Sequence, residues 1–315
     1  MFDWKIPSLS DLSEIKSAAE INNQFGNEMS AANLFLYRNK YNTQIAFLDN
    51  MLFRRYNIDN QIVYGIPLAL ETFASESTKN QKVLDGIALL ISENMEKESI
   101  DFAYVYENDL KLLKSKYQHK IIEKIQEDSF DYIYLRENLA VLEGSKFQKK
   151  RNHISRFLRS FPQGSFQVLS RENLSYAWEV EQLWLEAAKQ QGESSKSLDQ
   201  EYSIIKEALE NFEALKLCGG IVFVDEKPIA MTVASSLNSK IMDIHFEKAI
   251  MPYAFEGAYS FINREFAKTQ NTMFFNREED LGIPGLRKAK MSYYPTEILK
   301  KWSVKIEFSF KEFLP

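Results

Sequence analysis

The chain is poor in the residues and motifs that usually classify a protein. It has one cysteine in 315 residues, Cys218, so neither an intramolecular disulfide nor a cysteine-based zinc site can form. A lone thiol fits a reducing compartment, and the expected location is the cytoplasm. Cys218 precedes Gly219-Gly220 at a strand start and reads as a core residue, not a nucleophile. The start, Met1–Pro7, has no basic stretch leading into an apolar one, so no secretory signal is expected. No apolar run approaches the roughly 20 residues needed to span a bilayer. Positive charge is not in excess: 39 Lys+Arg face 44 Asp+Glu, a net charge of −5. Any anion site must therefore be a local patch. Gly-x-Gly-x-x-Gly, Walker A, His-Glu-x-x-His and Gly-x-Ser-x-Gly are all missing. Only three histidines occur, His119, His153 and His245, and no spacing among them supports a Ser-His-Asp triad.

What is present is ample core material. Hydrophobic residues make up 45% and aromatics 13%, with 23 Phe and 15 Tyr, which excludes disorder and suits two packed domains. Ser8-x-x-Asp11 resembles a capping box and marks the first helix. Strand-like runs Met51–Tyr56 and Gln61–Leu70 flank Asn57–Asn60 as a hairpin, followed by a helix over 77–98 and a strand over 102–106. Ile121–Leu135 reads as the closing strands of the first half. The second half has a similar order: hairpin 220–224 and 228–234, strand 240–248, helix 255–268, strand 272–275. The pattern alone leaves open whether this is a true duplication. Gly144 punctuates the junction, which sets expected domains at 1–143 and 144–315.

Three features bear on chemistry. From Gly144 to Arg171 there is no acidic residue, while Lys146, Lys149, Lys150, Arg151, Arg156, Arg159 and Arg171 are basic. At about 100° per residue, Phe147, Ile154, Leu158 and Phe161 form an apolar stripe beside Lys146, Lys149, His153 and Arg156. This is either an anion site for phosphates or a solvated helix face. Along strand 240–248, alternation puts Asp243, His245 and Glu247 on one face. That face can act as a general base through Glu247, can share a metal, or can be a solvated edge; a single histidine argues against metal. The third feature is Asn276–Lys290, a charged, glycine-bearing loop directly after a strand, where α/β proteins place chemistry. Within it, Arg277 and Asp280 are placed to pair across the Gly282–Gly285 turn.

Taken together, Asp131-Tyr132-Ile133-Tyr134, Lys146-Phe147-x-Lys149-Lys150-Arg151-Asn152-His153-Ile154, His245-Phe246-Glu247-Lys248-Ala249, Glu256-Gly257-Ala258-Tyr259 and Asn276-Arg277-Glu278-Glu279-Asp280-Leu281-Gly282, continuing to Leu286-Arg287-Lys288-Ala289-Lys290-x-Ser292-Tyr293, carry a resemblance. In this order and spacing the chain resembles bacterial proteins related to the C-terminal domain of phosphatidylglycerol lysyltransferase. The likeness implies an α+β fold of two tandem GNAT-type acyltransferase domains, akin to the Fem peptidyltransferases. It also implies a true duplication and aminoacyl-tRNA as acyl donor. A CoA-using GNAT has a Gln/Arg-x-x-Gly-x-Gly/Ala loop at a helix N-terminus. Here Ala254–Tyr259 keeps only Gly257, which makes CoA a poor candidate. The long N-terminal membrane part of the full lysyltransferases is missing from this sequence.

The function expected is aminoacyl transfer to an amine or hydroxyl acceptor. The alternatives are acetyl-CoA-dependent N-acetylation and a silent binding protein using a cleft between the domains. Glu247 and Glu278 are expected to handle protons, and Arg287 and Lys288 to stabilise the oxyanion or donor phosphates. Donor or substrate contacts are expected from Lys146, Lys149, Lys150, Arg151, His245, Lys248, Asn276, Arg277 and Tyr293. The expected partners are a tRNA acceptor end and a small-molecule or peptide acceptor, with no resident metal.

Overall fold

The computed structural model describes residues 1–190 and 195–308. In chain order the strands are β1 Gln44–Leu48, β2 Met51–Ile58, β3 Gln61–Tyr64, β4 Leu68–Ala69, β5 Ser99–Val105, β6 Ile121–Ile125 and β7 Asp131–Leu135. They continue as β8 Ser165–Val168, β9 Leu217–Val224, β10 Lys227–Ser236, β11 Ile241–Ala249, β12 Phe274–Asn276, β13 Glu297–Leu299 and β14 Trp302–Glu307. They form two mixed sheets, ordered β1-β2-β3-β5-β14-β6, with β4 on β2, and β13-β7-β12-β11-β10-β9-β8.

The two sheets share one plan. Each has three antiparallel strands, then a helix, then a strand parallel to the third: β1-β2-β3, Glu76–Glu93 and β5 in one. The other has β9-β10-β11, Ala258–Thr269 and β12. The next strand in each sheet comes from the opposite half of the sequence, β14 beside β5 and β7 beside β12. The compact units are accordingly Met1–Asp131 with Glu279–Pro284 and the segment from Ile298, and Tyr132–Glu278 with Gly285–Glu297. They cut the chain differently from the expected 143/144 junction, because strand exchange interleaves the two halves.

Local chemistry explains most elements. The two-residue turns Asp59-Asn60 and Asp225-Glu226 both have positive φ (51° and 62°, 49° and 64°), as type I′ hairpins require. Asp49-Asn50 makes a third such turn and creates β1, which the sequence reading did not assign. The run 61–70 splits into β3 and β4 around Gly65 and Pro67, since proline cannot donate to the ladder. The predicted helix 255–268 is two helices, Tyr253–Glu256 and Ala258–Thr269, broken at Gly257 with φ 117°. A Cβ there would lie 2.3 Å from the His153 carbonyl oxygen, so only glycine fits.

The first unit packs Phe53, Ile87, Leu90, Phe102 and Ile306 into its core. It also buries a charge cluster. The Lys301 ammonium reaches Asp131 Oδ1, Asn27 Oδ1 and Glu28 Oε2, each at 2.8 Å, and Tyr106 donates to Glu28. Asn27 donates in turn to Glu279, tying the start of the Glu279–Pro284 segment to the same cluster. Burial alone would lower the Lys301 pKa, but Asp131 and Glu28 raise it. The second unit packs Phe147, Ile154, Phe157, Val222, Ile229 and Phe261.

Ile306 is fully buried on β14 between β5 and β6. Ile306→Ala is expected to destabilise the protein by about 2–5 kcal/mol in denaturant melts. A change within about 0.5 kcal/mol, as for a surface site, would show that the last strand does not complete the first sheet.

Candidate active site

In the second unit, β11 and β12 run parallel through only three register pairs, Ile241↔Phe274, Met242↔Phe275 and Asp243↔Asn276. β11 then continues to Ala249 while β12 stops at Asn276. The strands part beyond Asp243 and Asn276, and the carboxyl ends of parallel strands are where such sheets bind ligands. His245 and Glu247 project from β11 at this wedge, and Arg277 and Glu278 from the loop after β12.

His245 is aimed by a β-bulge. Val233 pairs Phe246 and Ala234 pairs Ile244, so β10 advances one residue while β11 advances two. His245 is the extra residue, and bulges re-aim side chains beside active sites. Its Nε2 lies 2.8 Å from Ser235 Oγ. Its Nδ1 lies 3.3 Å from Glu278 Oε1 and 3.5 Å from Asp243 Oδ2. The bulge also interrupts the alternation that grouped Glu247 with Asp243 and His245. The three groups that each offer one ligand atom within 4.8 Å of one another are Asp243, His245 and Glu278. β11 is an interior strand and this face is buried, which removes the solvated-edge reading.

Glu278 is held in a costly backbone conformation. Its φ is 55°, in the left-handed region that non-glycine residues rarely adopt. Asn276 Oδ1 accepts its N–H at 2.6 Å. The buried Lys290 ammonium donates to the carbonyls of Arg277, at 2.5 Å, and Glu278, at 3.0 Å. The Lys290 backbone is anchored by Tyr134, whose hydroxyl donates to its carbonyl at 2.9 Å.

Glu247 lies in an ion pair. Arg277 Nη2 sits 3.1 Å from both its carboxylate oxygens, and Asn263 Nδ2 donates at 3.0 Å. Arg277 is thus not the partner of Asp280, which instead accepts from Gly282 N–H at 2.9 Å and shapes the turn. Burial would lower the Arg277 pKa, but Glu247 raises it. The guanidinium lies 4.8 Å from the Tyr293 ring, and Lys150 Nζ sits 3.6 Å over the same ring. Burial first, and then Arg277, pulls Lys150 down to about 8.

The remaining predicted residues are spread out. Arg151 donates to the carbonyls of Leu142 and Gly144 and so fixes the start of its own helix, Gln148–Ser160. Lys146 rests over Phe147 and Tyr294, while Lys149 is exposed. On helix Pro284–Met291, Lys288 is exposed and Arg287 half-buried. Lys248 pairs with Glu201 at 2.9 Å and lies 3.3 Å over Trp184. Close by, burial raises the buried Glu181 to about 7. Sequence reasoning missed Ser235 and Lys290. Lys290 stood inside the quoted motif, three residues before Tyr293, and its spacing was the available signal.

The sequence profile of the family described as "Phosphatidylglycerol lysyltransferase, C-terminal" matches residues 19–305. The chain belongs to that family. A conserved protein of unknown function from Bacteroides thetaiotaomicron VPI-5482 is 32% identical, with TM-score 0.87, covering 98% of this chain and 100% of its own. The structure of L-PGS from Bacillus licheniformis is similar at 15% identity and TM-score 0.61, covering 95% of this chain and 92% of that one. FemX is similar in fold at 8% identity and TM-score 0.57, covering 99% and 98%. No curated protein matches. The family match and these neighbours establish the α+β fold of the lysyltransferase C-terminal domain, shared with FemX. Among the described residues no helix is long and apolar enough to cross a membrane.

The depressed Lys150 has a stability signature. Between about 8 and its unfolded value near 10.5, the unfolded chain binds more protons than the folded one, so stability rises with pH across that window. Lys150→Met is expected to remove this rise, read as the difference between wild-type and variant melting temperatures from pH 7 to pH 10. Parallel pH profiles would show that Lys150 titrates normally.

Proposed function

We propose that this chain transfers an aminoacyl group from aminoacyl-tRNA to an amine or hydroxyl acceptor. Membership of the lysyltransferase C-terminal family supports an aminoacyl transferase in outline. The observation that carries the reading is the Ser235–His245–Asp243–Glu278 array at the parting of β11 and β12. In such a transfer the donor ester bond breaks and a new amide or ester bond forms. The attacking atom loses a proton, and the departing ribose oxygen gains one. Glu278 is the partly open member of its trio, with its side chain 16% exposed, while His245 and Asp243 are closed off. The acceptor proton therefore goes first to Glu278, which His245 steadies from behind with Ser235 fixing the ring. Lys150 and Arg277 supply positive charge where the carbonyl oxygen becomes an oxyanion. Arg287 and Lys288 are read as contacts to donor phosphates.

One observation favours a donor other than CoA. Gly257, the residue that would approach a CoA pyrophosphate, is packed against the His153 carbonyl. This supports a donor gripped elsewhere. Thermal shifts with aminoacyl-tRNA, CoA and acetyl-CoA should show stabilisation by charged tRNA alone. A shift with CoA and none with charged tRNA would sink the reading. Glu278→Gln should lower transfer about 10²–10⁴-fold with donor affinity retained. Undiminished transfer would remove Glu278 from the proton path.

A further inference from the structure

The bulge that aims His245 also brings two carboxylates onto one imidazole nitrogen. Nδ1 lies 3.3 Å from Glu278 Oε1 and 3.5 Å from Asp243 Oδ2. Both separations exceed the about 2.7–2.9 Å of a charge-assisted N–H···O bond, and one N–H cannot point at two acceptors. Behind the ring, Ser235 Oγ lies 2.8 Å from Nε2 and is placed to accept its proton. In that tautomer the Nδ1 lone pair faces both carboxylates. A histidine whose far nitrogen is fixed by a hydrogen bond in this way is arranged as metal-ligating histidines are.

The distances suit a metal ion better than a shared proton. A four-coordinate ion of the zinc class holds N and O ligands at about 2.0–2.2 Å, which sets neighbouring ligand atoms about 3.4 Å apart. The two separations at Nδ1 straddle that value. The third pair, Asp243 with Glu278, closes within 4.8 Å. Glu278 is the member able to adjust, because its side chain is partly open while those of His245 and Asp243 are closed off. Glu247 is not a member, since Arg277 holds both its oxygens. Two carboxylates balance a divalent charge. The imidazole nitrogen favours a transition metal over Mg²⁺ and Ca²⁺, which take oxygen ligands.

We propose that Asp243, His245 and Glu278 form an exchangeable site for a divalent transition-metal ion of the zinc class. One nitrogen and two carboxylates are a weaker ligand set than the closed cysteine and histidine sites of structural zinc. The ion therefore binds and leaves, and is not a resident cofactor. While it is bound, the Glu278 carboxylate is a ligand and cannot take the acceptor proton, so occupancy inhibits transfer. That consequence rests on the reaction proposed above; the site itself does not.

The test is metal titration of the full, untagged chain after dialysis against a chelator, by calorimetry with Zn²⁺ and by visible absorption with Co²⁺. One site per chain is expected, with the intense d–d bands of low-coordinate Co²⁺, and excess Mg²⁺ or Ca²⁺ should not displace the ion. His245→Ala and Asp243→Asn should each abolish the Co²⁺ bands and weaken Zn²⁺ binding at least about 100-fold, with His119, His153 and Cys218 left in place. Ser235→Ala keeps every ligand and should weaken binding about 10–100-fold. This milder variant keeps the test readable if a ligand variant fails to fold. Absence of Zn²⁺ binding would overturn the inference. So would an affinity unchanged in folded His245→Ala and Asp243→Asn, or in Ser235→Ala. Loss of binding in Glu247→Gln with binding kept in Glu278→Gln would overturn it too, by giving the site to the other carboxylate. None of these readouts uses transfer activity, so failure of the site and failure of the proposed reaction are told apart.

Discussion

The site depends on one buried ammonium group. Lys290 is almost closed to solvent, and its Nζ donates to two successive backbone carbonyls, those of Arg277 and Glu278. Burying an ammonium is unfavourable unless its donors are satisfied, and here the two carbonyls are its acceptors. The same contacts hold Glu278 at a φ of 55°, a conformation that stays populated only when its surroundings over-determine it. Asn276 adds the third restraint through the Glu278 N–H. The outcome is a turn whose two charged side chains leave in different directions, Arg277 to Glu247 and Glu278 to His245.

That turn matters because of where the sheet puts it. β11 and β12 stay together for three pairs and then separate. The bulge at His245 aims the imidazole at the opening. Backbone irregularity and side-chain chemistry therefore fall at the same place. This agreement of levels, rather than any single residue, marks the wedge as the working part of the second unit. The equivalent strands of the first unit, β3 and β5, pair only at Tyr64↔Phe102. In the first unit, Glu28, Asp131 and Lys301 are engaged with one another.

Much of this was legible in the sequence, for reasons that can be named. Asp59-Asn60 and Asp225-Glu226 declared their hairpins because Asn and Asp tolerate positive φ. The loop Asn276–Lys290 declared itself by charge after a strand, and the α+β tandem architecture followed from the family likeness. The strand exchange was not legible, because nothing in the residues of β14 and β7 sets them apart from other strands and pairing partners leave no local trace. The grouping of His245 with Glu278 instead of Glu247 was hidden by the bulge, which breaks the period-two rule at one residue. Lys150 read as one of a run of surface cations. Only the packing of Tyr293 against its helix shows that it is buried.

The most direct measurement is a crystal structure of the Lys290→Met variant. Without the ammonium, the Arg277 and Glu278 carbonyls lose their shared donor, and Glu278 should leave the left-handed region. Its carboxylate should then lie beyond hydrogen-bonding distance of His245, while Asp243, Ser235 and the bulge stay in place. A variant with an unchanged turn and an intact Glu278–His245 contact would contradict the account.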